Sequence, residues 1–521
     1  MANKLPPISD ELLNAGDKPA DICVVLEGSY PFVAGGVSVW THELIKAQPQ
    51  LSFHLFVLVA PNSDLTPRYE LPTNVTGVTI VTLQRLEKGK KKLRKQKTMM
   101  QNLEAPLVSI SSDGGIEAVQ EILHTIAPYG SDLGEDVLIN SKDAWELLLR
   151  MYRNNYPNAS FLDYFWTWRG LFGGLFAVLS APMPKARVYH AVSTGYAGLF
   201  MARAKLETGA SCILTEHGIY TNERRIELSM ADWLFEDASM QGLTIDKKRK
   251  TLRDLWMQSF ESYSRACYAA SDHIITLFEG NQSFQLHDGA DSRKMQVIPN
   301  GIDFEHYSKP EKVQHDRPTV ALIGRVVPIK DVKTYLRAIA QVKEVIPDVD
   351  AYLLGPYDED PEYYEECKTL VEHLDIADNF TFTGRVALTD WMGKIDLMAL
   401  TSISEGQPLV ILEAGAASIP TVSTNVGACH DLIYGDSRED PPLGDAGEVV
   451  PLSNPSATAA AMIRLLGDPE LLAICGQAIK ERVRLYYNKD DLNETYRKLY
   501  EDCIAVTDEN WRAKSDMAGK G

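Results

Sequence analysis

Short runs of apolar, β-branched residues alternate along this chain with longer stretches of helical period. The runs are Asp21–Leu26, Phe53–Val59, Val78–Leu83, Arg187–His190, Cys212–Thr215, His273–Leu277 and Gln296–Ile298 in the first half. In the second half they are Thr319–Ile323, Ala351–Leu354, Phe380–Thr383, Leu397–Leu400, Thr421–Ser423 and Glu448–Val450. Their alternation with helical stretches is the signature of a mostly parallel sheet. Between them the spacing predicts helices over Val332–Val345, Pro361–Leu374, Leu409–Ala417 and Ala457–Leu466. Two such series in tandem predict an α/β protein with two doubly wound, Rossmann-like sheets.

The boundary is expected in the polar stretch Asp303–Arg317, dividing the chain into 1–305 and 306–486. A last helix over 487–521 is expected to return to the first domain. Each sheet would bind ligands at the carboxyl ends of its strands, and two sheets facing each other would share one cleft. Residues 85–185 break the rhythm and are too long for a loop between strand and helix, so a helical insertion in the first domain is expected. The insertion opens with the basic run RLEKGKKKLRKQK, which reads either as a solvated helix face or mobile loop, or as a contact for an anionic acceptor, lipid headgroups or a partner. Within it Gly170–Ala181 is the most apolar segment. It is too short to span a bilayer and reads as a buried helix, with a membrane-docking face as the other option.

Composition narrows the partners. A chain of 521 residues with 45% hydrophobic and 24% charged residues matches a soluble globular protein of more than one domain. The net charge of −19 disfavours nucleic acid as a main partner, because phosphate backbones select basic surfaces. The seven cysteines form no CxxC pair, which predicts reduced, buried thiols rather than disulfides or a metal centre. The opening residues MANKLPPISDELL lack the apolar core of a signal peptide, so a cytoplasmic location is expected.

Three motifs carry candidate chemistry. EGSYPFVAGGVSVW follows the first strand, with Gly35 and Gly36 at the start of a helical pattern. Paired glycines at a helix start admit a pyrophosphate to free N–H groups, or they form a simple turn. The dinucleotide fingerprint GxGxxG is absent, which disfavours a nicotinamide-dependent dehydrogenase. GRVVPIK places Arg325 and Lys330 after the strand ending at Ile323. They read as two cations for a departing diphosphate, or as surface charges on a loop. SEGQPLVILEA sets Glu405 and Glu413 eight positions apart. Between them Gly406, Gln407, Pro408 and Leu409 form a loop-to-helix start suited to a phosphate. Glu413 lies in an apolar run, which favours a packed role near ribose hydroxyls over a solvated one. His190 and His217 end two strands and could meet a sugar hydroxyl or a phosphate, or be satisfied internally. Arg224 and Arg225 follow on the acceptor side.

These residues resemble a known family. GRVVPIKDVKTYLRAI, TSISEGQPLVILEAGAASIPTVSTNVGACHDLI and PNGID are similar to glycosyltransferase family 4, the retaining GT-B enzymes. EGSYPFVAGGVSVWTHELI and LTEHGIYTNERRIEL resemble the PelF-like subgroup, the glycosyltransferases of Pel exopolysaccharide synthesis. The resemblance implies metal-independent transfer with retention, from a UDP-sugar that is UDP-glucose in the subgroup, to a saccharide acceptor, with no cofactor. It assigns Gly35 and Gly36 to the donor phosphates or the acceptor, Arg325 and Lys330 to the diphosphate, Glu405 to the donor sugar and Glu413 to the ribose. It puts the base near Arg385 and Val386. The family's HxH-like pattern is broken here, since Val192 stands two places after His190, so the histidine role passes to His217. Membrane components of a polysaccharide synthase are implied partners. Two rival classes remain open: a GT-B-type nucleotide-sugar epimerase, and a non-catalytic UDP-sugar-binding subunit.

Overall fold

A computed structural model describes residues 6–14, 19–230 and 251–518. It divides into two compact units, one of 1–297 with 496–521, the other of 298–495.

In the first unit seven parallel strands form one sheet. They are β1 (Ala20–Glu27), β2 (Phe53–Val59), β3 (Val75–Thr82), β4 (Ala186–Ala191), β5 (Ser211–Glu216), β6 (His273–Thr276) and β7 (Met295–Val297), in the order β3-β2-β1-β4-β5-β6-β7. The second sheet holds β8 (Thr319–Ile323), β9 (Asp350–Leu354), β10 (Phe380–Gly384), β11 (Leu397–Leu400), β12 (Thr421–Thr424) and β13 (Gly447–Val450), in the order β10-β9-β8-β11-β12-β13. Both are doubly wound and reverse direction between their first and fourth strands, so each has a switch point there. This is the α/β fold of two Rossmann-like sheets that the apolar runs predict. Every expected strand is present, with ends moved by up to three residues. Their mostly apolar character has its cause in burial: all seven residues of β2 and all five of β8 are buried.

The division between units falls at 297, upstream of the 305 read from the polar stretch. Physically, Ile302 and Asn488 form a parallel bridge, and Gly301 packs against Lys489 and Leu492, so PNGID belongs with the second unit. The last helix, Lys489–Ala518, contributes its residues from Tyr496 onward to the first unit. Residues 519–521 of the helix read as 487–521 lie outside the described residues, as do 1–5 of the opening segment.

Between β3 and β4 the chain forms the helices Gln96–Ile110, Ile116–Ile126, Lys142–Asn155 and Phe161–Ser180. They share one hydrophobic core with the sheet. Leu171 to Leu179 are buried without interruption, so the apolar segment is a core helix and presents no face for a membrane. Among the described residues no helix is long and apolar enough to cross a membrane. The basic run is mostly irregular. Only Gln96 and Lys97 are helical, Leu93 and Gln96 are buried, and Lys90 pairs with Asp132 at 2.6 Å. All seven cysteines are free and buried.

Candidate functional site

In the second unit the loops after β8 and β11 leave neighbouring strands at the switch point. Pro328 opens a 3-10 turn, Pro328–Lys330, and Asp331, at φ 44°, caps the helix Val332–Val345 through its carboxylate and the Thr334 N–H. The loop after β11 fastens this turn. The Thr401 hydroxyl donates to the carbonyls of Lys330 (3.0 Å) and Asp331 (3.1 Å), and the Ile403 N–H donates to the Ile329 carbonyl at 2.8 Å. The Lys330 ammonium then donates to Glu405 Oε1 at 2.5 Å, with both side chains largely buried. Two residues 75 apart in sequence are thus brought into contact. A largely buried lysine paired with one carboxylate can turn its other N–H donors toward a phosphate.

Glu405 is held from behind. The Ala428 N–H donates to the Gly406 carbonyl at 2.8 Å, and Gly427, at φ +52°, lies so close that a Cβ there would collide with the carbonyls of Glu405 and Gly406. Pro408 caps the helix Leu409–Ala416 without a side-chain hydrogen bond, which leaves the first N–H groups of that helix to accept an anion.

Other expected residues are placed differently. Gln407 is buried, and its amide makes two bonds to the backbone of Asn300, accepting from its N–H at 2.7 Å and donating to its carbonyl at 3.1 Å. It ties PNGID to the helix start, which corrects its reading as a donor ligand. Glu413 is mostly buried and accepts from the Tyr307 hydroxyl. Burial raises its pKa, against the lowering effect of Tyr307 and the charge of His306. Arg325, half exposed, is turned to Glu359 at 2.5 Å. Arg385 is exposed and 3.5 Å from Asp358, while Val386 is half-buried.

In the first unit Gly35 and Gly36 start the helix Gly36–Lys46, and a Cβ on either would meet open space. Nothing in the packing requires glycine there. His190 is fully buried. Its Nδ1 pairs with the Tyr500 hydroxyl at 2.7 Å and its Nε2 with the Thr215 hydroxyl at 2.9 Å. Both nitrogens are satisfied inside the core, so His190 is structural, and its reading on the acceptor side is corrected. Burial, with His217 adding to it, holds its pKa down at about 3. His217 differs: neither ring nitrogen has a hydrogen-bond partner among the described residues. Its ring meets Trp40 edge-on at 4.5 Å, and burial pushes its pKa down to about 4. Arg224 lies over the Tyr220 ring and pairs with Glu227 at 2.8 Å; Arg225 reaches Asn222 and Glu261.

Sequence reading passed over Glu27 and Glu216. Glu27 ends β1 at the switch point, where it accepts from the Ala197 N–H at 3.2 Å and the Tyr220 hydroxyl at 2.9 Å. Burial raises its pKa, opposed by these bonds and the charge of Arg224. Glu216 is 1% exposed and accepts from Tyr268 (2.8 Å), Gln285 (2.9 Å) and Thr194 (3.4 Å); burial lifts its pKa to about 7. A single acid closing an apolar strand was the signal for both.

Comparison with known proteins agrees with this picture of the fold. Among curated proteins, N-acetyl-alpha-D-glucosaminyl L-malate synthase of Bacillus anthracis is 26% identical over 219 residues, 41% of this chain and 55% of that protein. D-inositol 3-phosphate glycosyltransferase of Kineococcus radiotolerans is 27% identical over 258 residues, 45% of this chain and 59% of that protein. The chain therefore spans less than two thirds of the curated relatives it matches. Among solved structures, the sucrose-phosphate synthase of Thermosynechococcus elongatus superposes with a TM-score of 0.54 at 15% identity, covering 93% of this chain and all of that one. HepE of Anabaena in complex with UDP does so at 0.54 and 12%, covering 92% of this chain and all of HepE. These solved structures share the GT-B fold. Residues 317–468 match the family model described as Glycosyl transferases group 1, and over residues 20–293 the chain belongs to the family described as Domain of unknown function (DUF3492).

Proposed function

We propose that the protein is a retaining, metal-independent hexosyltransferase that moves a sugar, glucose first among the candidates, from UDP to a saccharide acceptor. The observation that carries this reading is the contact of Lys330 with Glu405 at the switch point of the second sheet, within the glycosyl transferases group 1 match. Lys330 and Arg325 would neutralise the diphosphate as the glycosidic C–O bond breaks, together with the free N–H groups before Leu409. Glu405 would hold hydroxyls of the donor sugar, with Lys330 fixing its orientation. Glu413 would share its remaining lone pairs between Tyr307 and the ribose. Backbone groups near Arg385 and Val386 would meet the base. In a front-face substitution the acceptor hydroxyl attacks from the side the UDP leaves, and a phosphate oxygen takes its proton, so no dedicated protein base is needed. Catalysis then rests on positioning and charge stabilisation.

UDP enters the proposal through HepE, solved with UDP-glucose, and through the family 4 resemblance. The PelF-like motifs of the first unit extend it to exopolysaccharide synthesis, in the cytoplasm and at the inner membrane beside a polysaccharide synthase. The test is a calorimetric and nucleotide-release screen of UDP-glucose, UDP-galactose, UDP-N-acetylglucosamine and GDP-mannose, with and without saccharide acceptors. UDP-glucose should bind and release UDP when acceptor is present. A new nucleotide sugar formed without acceptor would make the protein an epimerase. Binding without release under any condition would make it a sensor, and no binding at all would remove the reading.

A further inference from the structure

The carboxyl edge of the first sheet carries a set of buried polar atoms that the donor chemistry does not use. β1, β4 and β5 are neighbours, with Val25 opposite Ala191 and Ala191 opposite Leu214. Adjacent strands run about 4.8 Å apart, so the loops that follow them emerge side by side. Ser29 lies in the loop after β1, Ser193 in that after β4, and His217 in that after β5. The hydroxyls of Ser29 and Ser193 and both nitrogens of His217 are buried and find no hydrogen-bond partner among the described residues. Buried polar groups are almost always hydrogen-bonded, and a group of exceptions on one rim calls for a ligand. The rim is the switch point of a doubly wound sheet, where such folds bind ligands.

The chemistry of these atoms selects the ligand. A serine hydroxyl both donates and accepts. Burial keeps the His217 imidazole neutral at ordinary pH, with one donor and one acceptor nitrogen. Glu27, in the same row of strand ends, offers only lone pairs when ionised. The neighbouring Arg224 pairs with Glu227 and acts on the charge of Glu27, and its buried Nε–H has no hydrogen-bond partner among the described residues, which adds one more donor. A ligand whose every polar group both gives and takes a proton fits the serines and the imidazole of this rim, and the Glu27 carboxylate disfavours a ligand carboxylate or phosphate beside it. Trp40, edge-on to His217, adds an apolar surface of the kind that packs against the C–H face of a sugar.

We propose that Ser29 and Ser193 are specificity-determining residues that, with His217, read the hydroxyls of a neutral saccharide acceptor. This deepens the transferase reading and rests on it. The full chain is titrated by ligand-observed NMR with trisaccharides of glucose, galactose and N-acetylglucosamine, and with trigalacturonate. At least one neutral trisaccharide should bind, and trigalacturonate at least tenfold more weakly. Ser29→Ala and Ser193→Ala should each weaken the neutral ligand about tenfold. Because each removes a buried hydroxyl that lacks a partner among the described residues, neither should lower the unfolding temperature. The inference is overturned if no neutral trisaccharide binds, if trigalacturonate binds equally, if both variants bind like the wild type, or if the alanines destabilise the chain as removal of a bonded serine would. A UDP titration on the same samples separates the two readings: loss of UDP affinity throughout would sink the donor assignment alone.

Discussion

At the scale of single residues, what matters is where a charge is held and what faces it. Lys330 is held by the Thr401 hydroxyl of the β11 loop and faces a carboxylate, so on the proposed function Lys330→Ala removes a charge from the diphosphate while the carbonyls bonded by Thr401 stay in place. Loss of one preorganised group of this kind costs on the order of 10²–10³ in kcat. Lys330→Ala should therefore lose at least about a hundredfold in UDP release while keeping the wild-type circular dichroism; near-wild-type turnover would refute the assignment. Glu216 supports a different prediction, on pH. Its folded pKa of about 7 lies above the ordinary glutamate value of 4.5, so the native state holds the proton more tightly than the unfolded one. The stability this contributes is complete below about pH 4.5 and is lost as pH rises through about 7. His190 and His217 act in the opposite sense. Their depressed pKa values give stability present above about 6.5 and lost as pH falls toward 4 and 3. The two effects overlap in one protein, but Glu216→Gln isolates the first. The amide can accept from Tyr268 and Gln285 through its oxygen and donate to Thr194. The melting temperature of the variant minus that of the wild type should grow between pH 4.5 and 7.5, and a flat difference would show that Glu216 does not titrate in this range.

At the scale of elements, strands were legible because a parallel strand buried on both faces needs no partner to declare itself: six of the seven residues of β2 are apolar, with His54 the exception. The helix start after Glu405 was legible for a local reason too, a proline before an apolar run. The ties that hold it were not. Gln407 read as a ligand because it stands between Glu405 and the helix start; its side chain bonds instead to Asn300, 107 residues away. His190 misled in the same way, since its second partner sits 310 residues downstream on the last helix. Tyr307, which faces Glu413, sits in a five-residue helix that no periodicity marks. Gly427 shows how an element can control the site without touching a ligand. A methyl there would strike the carbonyls of Glu405 and Gly406, and neither is a flexible side-chain tip that could move aside. Gly427→Ala should displace the Glu405 loop, lowering kcat at least tenfold while leaving the separate first-unit melting transition unchanged. Wild-type kcat in this variant would mean that the position of Glu405 does not limit catalysis.

At the scale of the whole molecule, the last helix does for the first unit what no strand does: it closes the underside of the histidine that ends β4. Tyr496, Tyr500, Cys503 and Thr507 follow one another at helical spacing and are all buried. The Tyr500 hydroxyl meets His190, His190 meets Thr215, and Thr215 meets the Tyr496 hydroxyl at 3.2 Å, so a chain of buried polar groups joins the end of the sequence to β4 and β5. Thr507 continues it with a bond to the Ser211 N–H at 2.9 Å. Such a network is worth more intact than in parts, because each group deprived of its partner stays buried. Tyr500→Phe would leave His190 Nδ1 without a partner in the core, a cost of about 1–3 kcal/mol. Removing both ends, as in His190→Leu with Tyr500→Phe, deletes that orphan and still leaves Thr215 bonded to Tyr496. The double variant should therefore be destabilised by less than the sum of the two single variants, measured on the melting transition of the first unit. Strict additivity would mean that the last helix is held there by its apolar stripe alone, and that the polar chain beneath it contributes no coupling.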